Sequence, residues 1–341
     1  MHMADALLSP AVGIAMCAVS AGALAYSTAK IKKDDLGEKK IPMMAVTGAF
    51  VFAAQMINFT IPATGSSGHI GGGILLASMI GGYPALLSIA AVLIIQCLFF
   101  ADGGLLALGC NIFNMGVIPC LIIYPLIFRP ILKKGLSYKK ITLASILAVM
   151  IGLELGAFSV VLETWASGIT ELPFATFCGL MLPIHLAIGL VEGVVTAAVV
   201  CYVWKIRPEI LESSLQRNAI QKTLSVKKPV LTLLIATVLV GGALSLFASA
   251  NPDGLEWAIG KVTGADELEA TGEIYEGAAH VQESTAFMPD YDYTTAGEDG
   301  SATGTPVAGI VGGTLTLMLA GATGFFISKT KKKKATSAVK S

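Results

Sequence analysis

Thr176-Phe-Cys-Gly-Leu-Met-Leu-Pro-Ile-His-Leu-Ala-Ile-Gly-Leu-Val-Glu-Gly-Val-Val-Thr-Ala-Ala-Val-Val-Cys-Tyr-Val-Trp204 holds one histidine and one carboxylate in an otherwise apolar run. About 20 such residues suffice for a helix to cross the hydrocarbon layer of a bilayer. In that layer the backbone must satisfy its own hydrogen bonds, which a helix does within one segment. Comparable runs lie on both sides, at 4–29, 41–60, 85–101, 105–127, 141–163, 229–248 and 305–327. The 341-residue chain is 54% hydrophobic and 13% charged, with mean hydropathy +0.74. Soluble domains carry about 25% charged residues. The expected fold is all-α, a polytopic transmembrane bundle in contact with the lipid bilayer. The six cysteines fall in or beside apolar runs without a metal-ligand CxxC spacing, and read as small packing residues.

The charges set the orientation. Segments 30–40, 129–140, 205–228 and 329–341 hold 22 of the 23 Lys and Arg, and cytoplasmic loops carry the excess of these residues. With all four segments inside, the amino terminus and residues 249–304 are outside. Parity then demands three crossings between 61 and 128, so the short apolar piece 74–82 must be one of them. Its ~9 residues span only ~14 Å as a helix. The stretch Thr60-Ile-Pro-Ala-Thr-Gly-Ser-Ser-Gly-His-Ile-Gly-Gly-Gly73 is therefore expected to dip inward as irregular backbone, tolerated where protein or a wet cavity surrounds it. The count is about nine crossings, seven plus two, in a multi-pass protein of the plasma membrane.

That topology puts two histidines at one face. In Met1-His2-Met3-Ala-Asp-Ala-Leu-Leu-Ser-Pro10, a large second residue generally blocks removal of the initiator methionine, and the run after it lacks the basic n-region of a cleaved signal peptide. The terminal nitrogen, the His2 backbone nitrogen and a His2 ring nitrogen can face one point. Planar nitrogen sets favour Cu(II) or Ni(II). Alone, His2 reads as a polar end of a membrane helix and His69 as a hydrogen-bonded loop residue. Two of them at one outer face, beside a free amine, point to a metal site.

Four stretches then resemble one family. They are Met1–Pro10, Gly65-Ser-Ser-Gly-His-Ile-Gly-Gly-Gly73, Ala101-Asp-Gly-Gly-Leu-Leu-Ala-Leu-Gly-Cys-Asn111 and His185-Leu-Ala-Ile-Gly-Leu-Val-Glu-Gly-Val-Val-Thr196. Together they resemble the CbiM/NikM family, substrate-capturing membrane subunits of energy-coupling-factor transporters for cobalt and nickel, over about residues 1–205. Asn251-Pro-Asp-Gly-Leu-Glu-Trp257 resembles the PDGLE signature of the companion subunit CbiN/NikN. The resemblance implies Ni2+ or Co2+ as transported substrate, with no organic cofactor. It implies ligands from the Met1 amine, the backbone and ring nitrogens of His2, and His69. It also implies a membrane coupling partner (CbiQ/NikQ-like) and an ATPase partner (CbiO/NikO-like). The chain has no GxxxxGK[ST] phosphate loop, so ATP hydrolysis is expected elsewhere. No nucleic-acid partner is expected.

The resulting division is a metal-capturing domain 1–204, a basic linker 205–228, a PDGLE-like part 229–328 with an external loop 249–304, and a basic tail 329–341. Asp5 is a candidate to orient the His2 ring. Asn111 and His185 are candidates to support the site, His185 near the outer end of its helix. Asp102 and Asn114 line an ion route or cap helices, and Glu154 and Glu163 are placed to pair with neighbouring helices. Glu192 lies ~10 Å beyond His185 along the helix, too far to share one ion with it. Residues 249–304 hold twelve Asp and Glu against one Lys and read as a solvated or disordered stretch, with His280 on its surface. The competing functions are a membrane-embedded metalloenzyme or a metal sensor using the same nitrogens. A filled four-nitrogen plane leaves no equatorial position for an enzyme's substrate, and no general base accompanies it.

Overall fold

The computed structural model describes residues 1–34, 39–216, 225–265, 268–293 and 303–338. Parts of the basic loop 30–40, the linker 205–228, the acidic stretch 249–304 and the tail 329–341 lie outside the described residues.

Six helices among the described residues are long and apolar enough to cross a membrane. They belong to α1 (Pro10–Asp34), α4 (Gly82–Phe100), α5 (Leu108–Lys133), α6 (Tyr138–Ser167), α7 (Phe174–Ile206) and α12 (Gly304–Ala338). Three shorter apolar helices complete the bundle: α2 (Lys40–Gln55), α3 (Gly73–Ile80) and α9 (Lys227–Gly242). A bilayer is wide for the eight residues of α3, and the structure resolves this by enclosure, since every one of them is buried. The middle of α5, Phe113–Phe128, is wound as a π-helix around Pro119 and Pro125. Proline lacks the N–H of a regular ladder, and the wider turn accommodates the loss.

Long apolar side chains such as Leu126, Leu143, Trp165 and Leu190 face outward, as lipid-facing surfaces require. Aromatic pairs mark two levels on α6 and α7. Tyr138 meets Trp204 at one end, and Trp165 meets Phe174 at the other. The rise from Tyr138 to Trp165 is ~40 Å, the thickness of a bilayer with its headgroups. Near the Tyr138 end, Arg129 donates to the Leu215 carbonyl at 2.6 and 2.9 Å.

The segment read as a linker is not merely one. Its first part forms α8 (Pro208–Gln216), whose Ile210, Leu211, Ser214 and Leu215 are buried. Ser214 donates to the Ala77 carbonyl at 2.8 Å, so α8 closes the inner end of α3.

Helices α9 and α12 pack on α2 and on each other. Gly309 approaches Gly241 so closely that a side-chain carbon on it would lie 2.7 Å from the Gly241 carbonyl oxygen. Small residues of this kind let membrane helices touch backbone to backbone.

The acidic stretch is ordered over most of its length. It forms α10 (Gly254–Thr263) and α11 (Glu273–Thr285) over the end of the bundle opposite the lysines. Polar side chains dock it: Tyr275 donates to the Leu8 carbonyl at 2.8 Å, and Gln282 donates to the carbonyls of Cys97 (3.1 Å) and Gly103 (3.0 Å). Among the described residues most of its charges are exposed, Asp253 being the buried exception, which is why composition read as solvated chain. His280 is exposed.

Candidate metal-capture site

Residues 1–9 precede α1 and fold back into the bundle. Met3 is pinned on both sides: its N–H donates to Asn111 Oδ1 (2.8 Å), and its carbonyl accepts from Asn111 Nδ2 (3.2 Å) and from the Gly104 N–H (2.9 Å). Asn111 thus anchors the terminal segment. Asp5 does not orient His2. Its Oδ1 accepts the Ala107 N–H at 2.9 Å, and the neighbouring amides of Leu105 and Leu106 also bond its carboxylate. A helix start leaves such N–H groups unpartnered, and the Asp5 carboxylate satisfies them ahead of α5.

The loop between α2 and α3 carries His69. It is more regular than its glycine content suggests, with an antiparallel hairpin of β1 (Phe59–Ile61) and β2 (Ser66–Gly68). The hairpin is tied to the C-terminal part, as the Ser67 N–H donates to the Pro252 carbonyl at 2.8 Å. Glu192 on α7 receives the N–H groups of Gly71 and Gly72, each at 2.9 Å. At Gly72, φ is +79° and a side-chain carbon would fall 2.5 Å from Val51, so both backbone angle and space require glycine.

These anchors bring Met1, His2 and His69 together. The Met1 nitrogen lies 3.4 Å from His69 Nε2, and the rings of His2 and His69 stack at 5.2 Å with an 11° interplanar angle. His69 Nδ1 lies 3.2 Å from the Ile70 carbonyl. A carbonyl only accepts, so Nδ1 carries the proton and Nε2 presents its lone pair to the site. Burial first, and then the positive Met1 nitrogen, push both rings down from 6.5 to about 3. Both are neutral at physiological pH, the form that binds metals.

Two carboxylates face these nitrogens. Met1 nitrogen donates to Asp253 Oδ2, which also lies 3.8 Å from His69 Nε2. His2 Nδ1 lies 3.2 Å from Asp102 Oδ1, and the Tyr291 hydroxyl donates to the other Asp102 oxygen. Burial raises the Asp102 carboxyl, while burial alone would raise Asp253 but Met1 and His69 hold it well below the usual range. His2, His69, Asp102 and Asp253 line a cavity of about 280 Å³ together with Gln55, Glu256 and Tyr291.

His185 sits eleven residues into α7, so the site is recessed below the helix ends rather than level with them. Its Nδ1 donates to the Met181 carbonyl at 2.8 Å, and the residue lines a small cavity with Met1, His69 and Asp253. Sequence reading passed over Asp253. It lay in plain view as the aspartate of PDGLE, but no spacing rule connects it with residue 1. Among the described residues, no three His, Cys, Asp or Glu side chains are arranged to hold a metal by themselves.

Comparisons with known proteins place this arrangement. A family described as the cobalt uptake substrate-specific transmembrane region matches residues 2–210, and the PDGLE domain matches residues 227–329. A putative fused nickel transport protein NikMN of Archaeoglobus fulgidus is 33% identical over 94% of this chain and 96% of its own. A probable fused nickel transport protein LarMN of Lactiplantibacillus plantarum is 31% identical over 76% of this chain and 78% of its own. The crystal structure of a truncated transition metal transporter superposes with a TM-score of 0.53, at 32% identity, covering 60% of this chain and 99% of that one.

Proposed function

Since the chain belongs to the cobalt-uptake substrate-specific transmembrane family and carries a PDGLE domain on the same polypeptide, we propose that it captures Ni2+ or Co2+ at the outer membrane face for ATP-driven import. The donors are the Met1 nitrogen, the backbone and ring nitrogens of His2, and His69 Nε2. The observation that carries the reading is the 3.4 Å approach of the Met1 nitrogen to His69 Nε2, beside a stacked His2 ring, with both imidazoles largely buried. Nitrogen donors of this kind suit late divalent metals, with nickel ahead of cobalt in intrinsic affinity.

The two carboxylates suit the metal-free state. Asp253 holds the Met1 nitrogen and Asp102 faces the His2 ring nitrogen nearest the backbone, the one able to chelate with it. An arriving dication replaces each carboxylate at its nitrogen and leaves both anions nearby to balance its charge. The PDGLE part thus completes the chamber that the first domain opens.

The import reading takes a membrane coupling subunit and an ATPase subunit as partners. The enzyme reading is the weaker one, because a filled four-nitrogen plane leaves no equatorial position for a substrate. The test is metal analysis of protein purified from cells supplied with both ions, alongside radioactive nickel and cobalt uptake by cells holding the complete transporter. Stoichiometric nickel or cobalt with chain-dependent uptake is the expected result. Metal-free protein and uptake indifferent to the chain defeat the reading.

A further inference from the structure

We propose a second, inner station for the transported cation, formed by Asn114, Glu192 and the Met1 thioether below the capture site. It rests on reading the nitrogen cluster as the place of capture. The starting observation is Glu192. Its carboxylate is 3% exposed and held at membrane depth, and among the described residues no Lys, Arg or His pairs with it. It accepts one N–H at each oxygen, from Gly71 and Gly72, and each oxygen keeps a further lone pair. Ionisable groups at this depth mark ion pathways more often than structure alone.

Asn114 supplies the independent observation. It is 2% exposed, its Nδ2 donates to Glu163 at 2.8 Å, and its Oδ1 has no hydrogen-bond partner. An ionised Glu163 only accepts, so it is the amide nitrogen of Asn114 that faces it. The free oxygen is therefore a real one, and leaving it unmade in a dry interior is costly.

Asn114 and Glu192 line the same small cavity, with Met1, Gly71, Val149 and Gly152. Its volume of about 20 Å³ holds one water or one small ion. Met1 lines both this cavity and the small one it shares with His69, His185 and Asp253 beside the capture site. Its methyl carbon rests 3.1 Å from where a side chain on Gly156 would begin, and Gly152 lies one turn of α6 further in, ~6 Å along the axis. Its flexible side chain is therefore the movable part of the wall these two small cavities share.

The chemistry orders the two stations. Nitrogen donors bind nickel and cobalt more tightly than an amide oxygen, a carboxylate and a thioether do. The outer set captures, and the weaker inner set receives the ion and lets it go. The inner charge offsets the cost of moving a dication into the bundle.

Two substitutions test this in the full chain. Asn114→Ala removes the free oxygen. Gly152→Ala places a methyl on a residue that lines the cavity; the methyl meets only Ile123, at 3.6 Å, so the fold accepts it. Each variant is purified after nickel supply for metal content and absorption spectrum, and each is assayed for 63Ni uptake in cells with the complete transporter. Both are expected to keep one nickel with an unchanged spectrum while uptake falls roughly tenfold, equivalent to ~1.4 kcal/mol along the route. Uptake within about twofold of the parent in Asn114→Ala overturns the inner station. So does loss of the first nickel in Asn114→Ala, because Asn114 then serves the capture site itself. Failure of the capture reading looks different: the unaltered chain then holds no nickel.

Discussion

The Met1 nitrogen donates to the carboxylate of Asp253, joining residues 252 positions apart in one buried ion pair. The same carboxylate caps α10, where its other oxygen accepts the N–H groups of Leu255 (2.7 Å) and Glu256 (3.1 Å). Glu256 returns the bond to the Asp253 N–H at 2.8 Å, completing a capping box. The PDGLE signature therefore has a physical content. Its Asp and Glu fix a helix start, and the helix start aims a carboxylate at the first residue of the chain.

Asp253→Asn separates these two roles. Asparagine caps a helix about as well as aspartate, so α10 keeps its start. The charge opposite Met1 is lost, and a charge-assisted bond is worth ~1.5–3 kcal/mol. The expected outcome is a lower thermal-unfolding midpoint for metal-free protein in detergent, with helix content unchanged by circular dichroism. An unchanged midpoint means the pair contributes nothing to the folded state.

His69→Ala removes the donor whose lone pair faces Met1 and leaves the loop anchored, because Glu192 holds Gly71 and Gly72 rather than the ring. The protein is expected to fold and to emerge from nickel-supplied cells without metal. A variant that still holds one nickel per chain with the parent absorption spectrum removes His69 from the ligand set.

Much of this was legible in the sequence, and the rest was hidden for identifiable reasons. Apolar run lengths give the long helices, because a bilayer imposes its thickness on each segment. The parity of the lysine-rich segments singles out the short apolar piece 74–82 as a crossing despite its length, and a buried helix, Gly73–Ile80, stands there. His2 and His69 stand out as ionisable groups among small and apolar neighbours. Asp5 misleads, since nearness in sequence to His2 says nothing of the amides at Leu105–Ala107 that claim its carboxylate. The order in α10 and α11 is masked by their many exposed charges, while the buried Asp253 that starts α10 looks no different in the sequence. Asp102 and Asp253 reach the site through tertiary contact alone, which no local pattern encodes.

The two buried rings make stability depend on pH. In the folded protein His2 and His69 stay neutral down to about 3, whereas unfolded imidazoles take up a proton near 6.5. Between those values the unfolded state binds more protons, so stability falls as pH falls below 6.5. Asp253, held below the usual carboxylate range, adds loss in the same direction at lower pH. From pH 6.5 to 5 the effect is on the order of 2 kcal/mol per ring. Midpoints of metal-free protein measured at pH 7, 6 and 5 are expected to decline, and His69→Asn to flatten that decline by about half. A flat profile in the parent protein contradicts neutral burial of the rings.

The Met1 nitrogen is the donor easiest to isolate. Inserting a residue between Met1 and His2 is a poor test, because the added amide nitrogen can itself donate and rebuild a four-nitrogen set. Acetylation is cleaner. It removes one lone pair and one positive charge while the His2 ring and His69 stay in place, and it also frees Asp253 from its partner. A freed Asp253 carboxylate then stands beside His69 Nε2, at 3.8 Å. If attraction to carboxylates were what held the ion, acetylation would strengthen the site. If nitrogen donors hold it, acetylation removes a quarter of the plane. We expect the second outcome: nickel content and uptake of the acetylated protein both collapse, and the absorption band of the nitrogen plane disappears. Binding within a few-fold of the unmodified protein would leave Asp253 and the rings as the ligands and end the amine model.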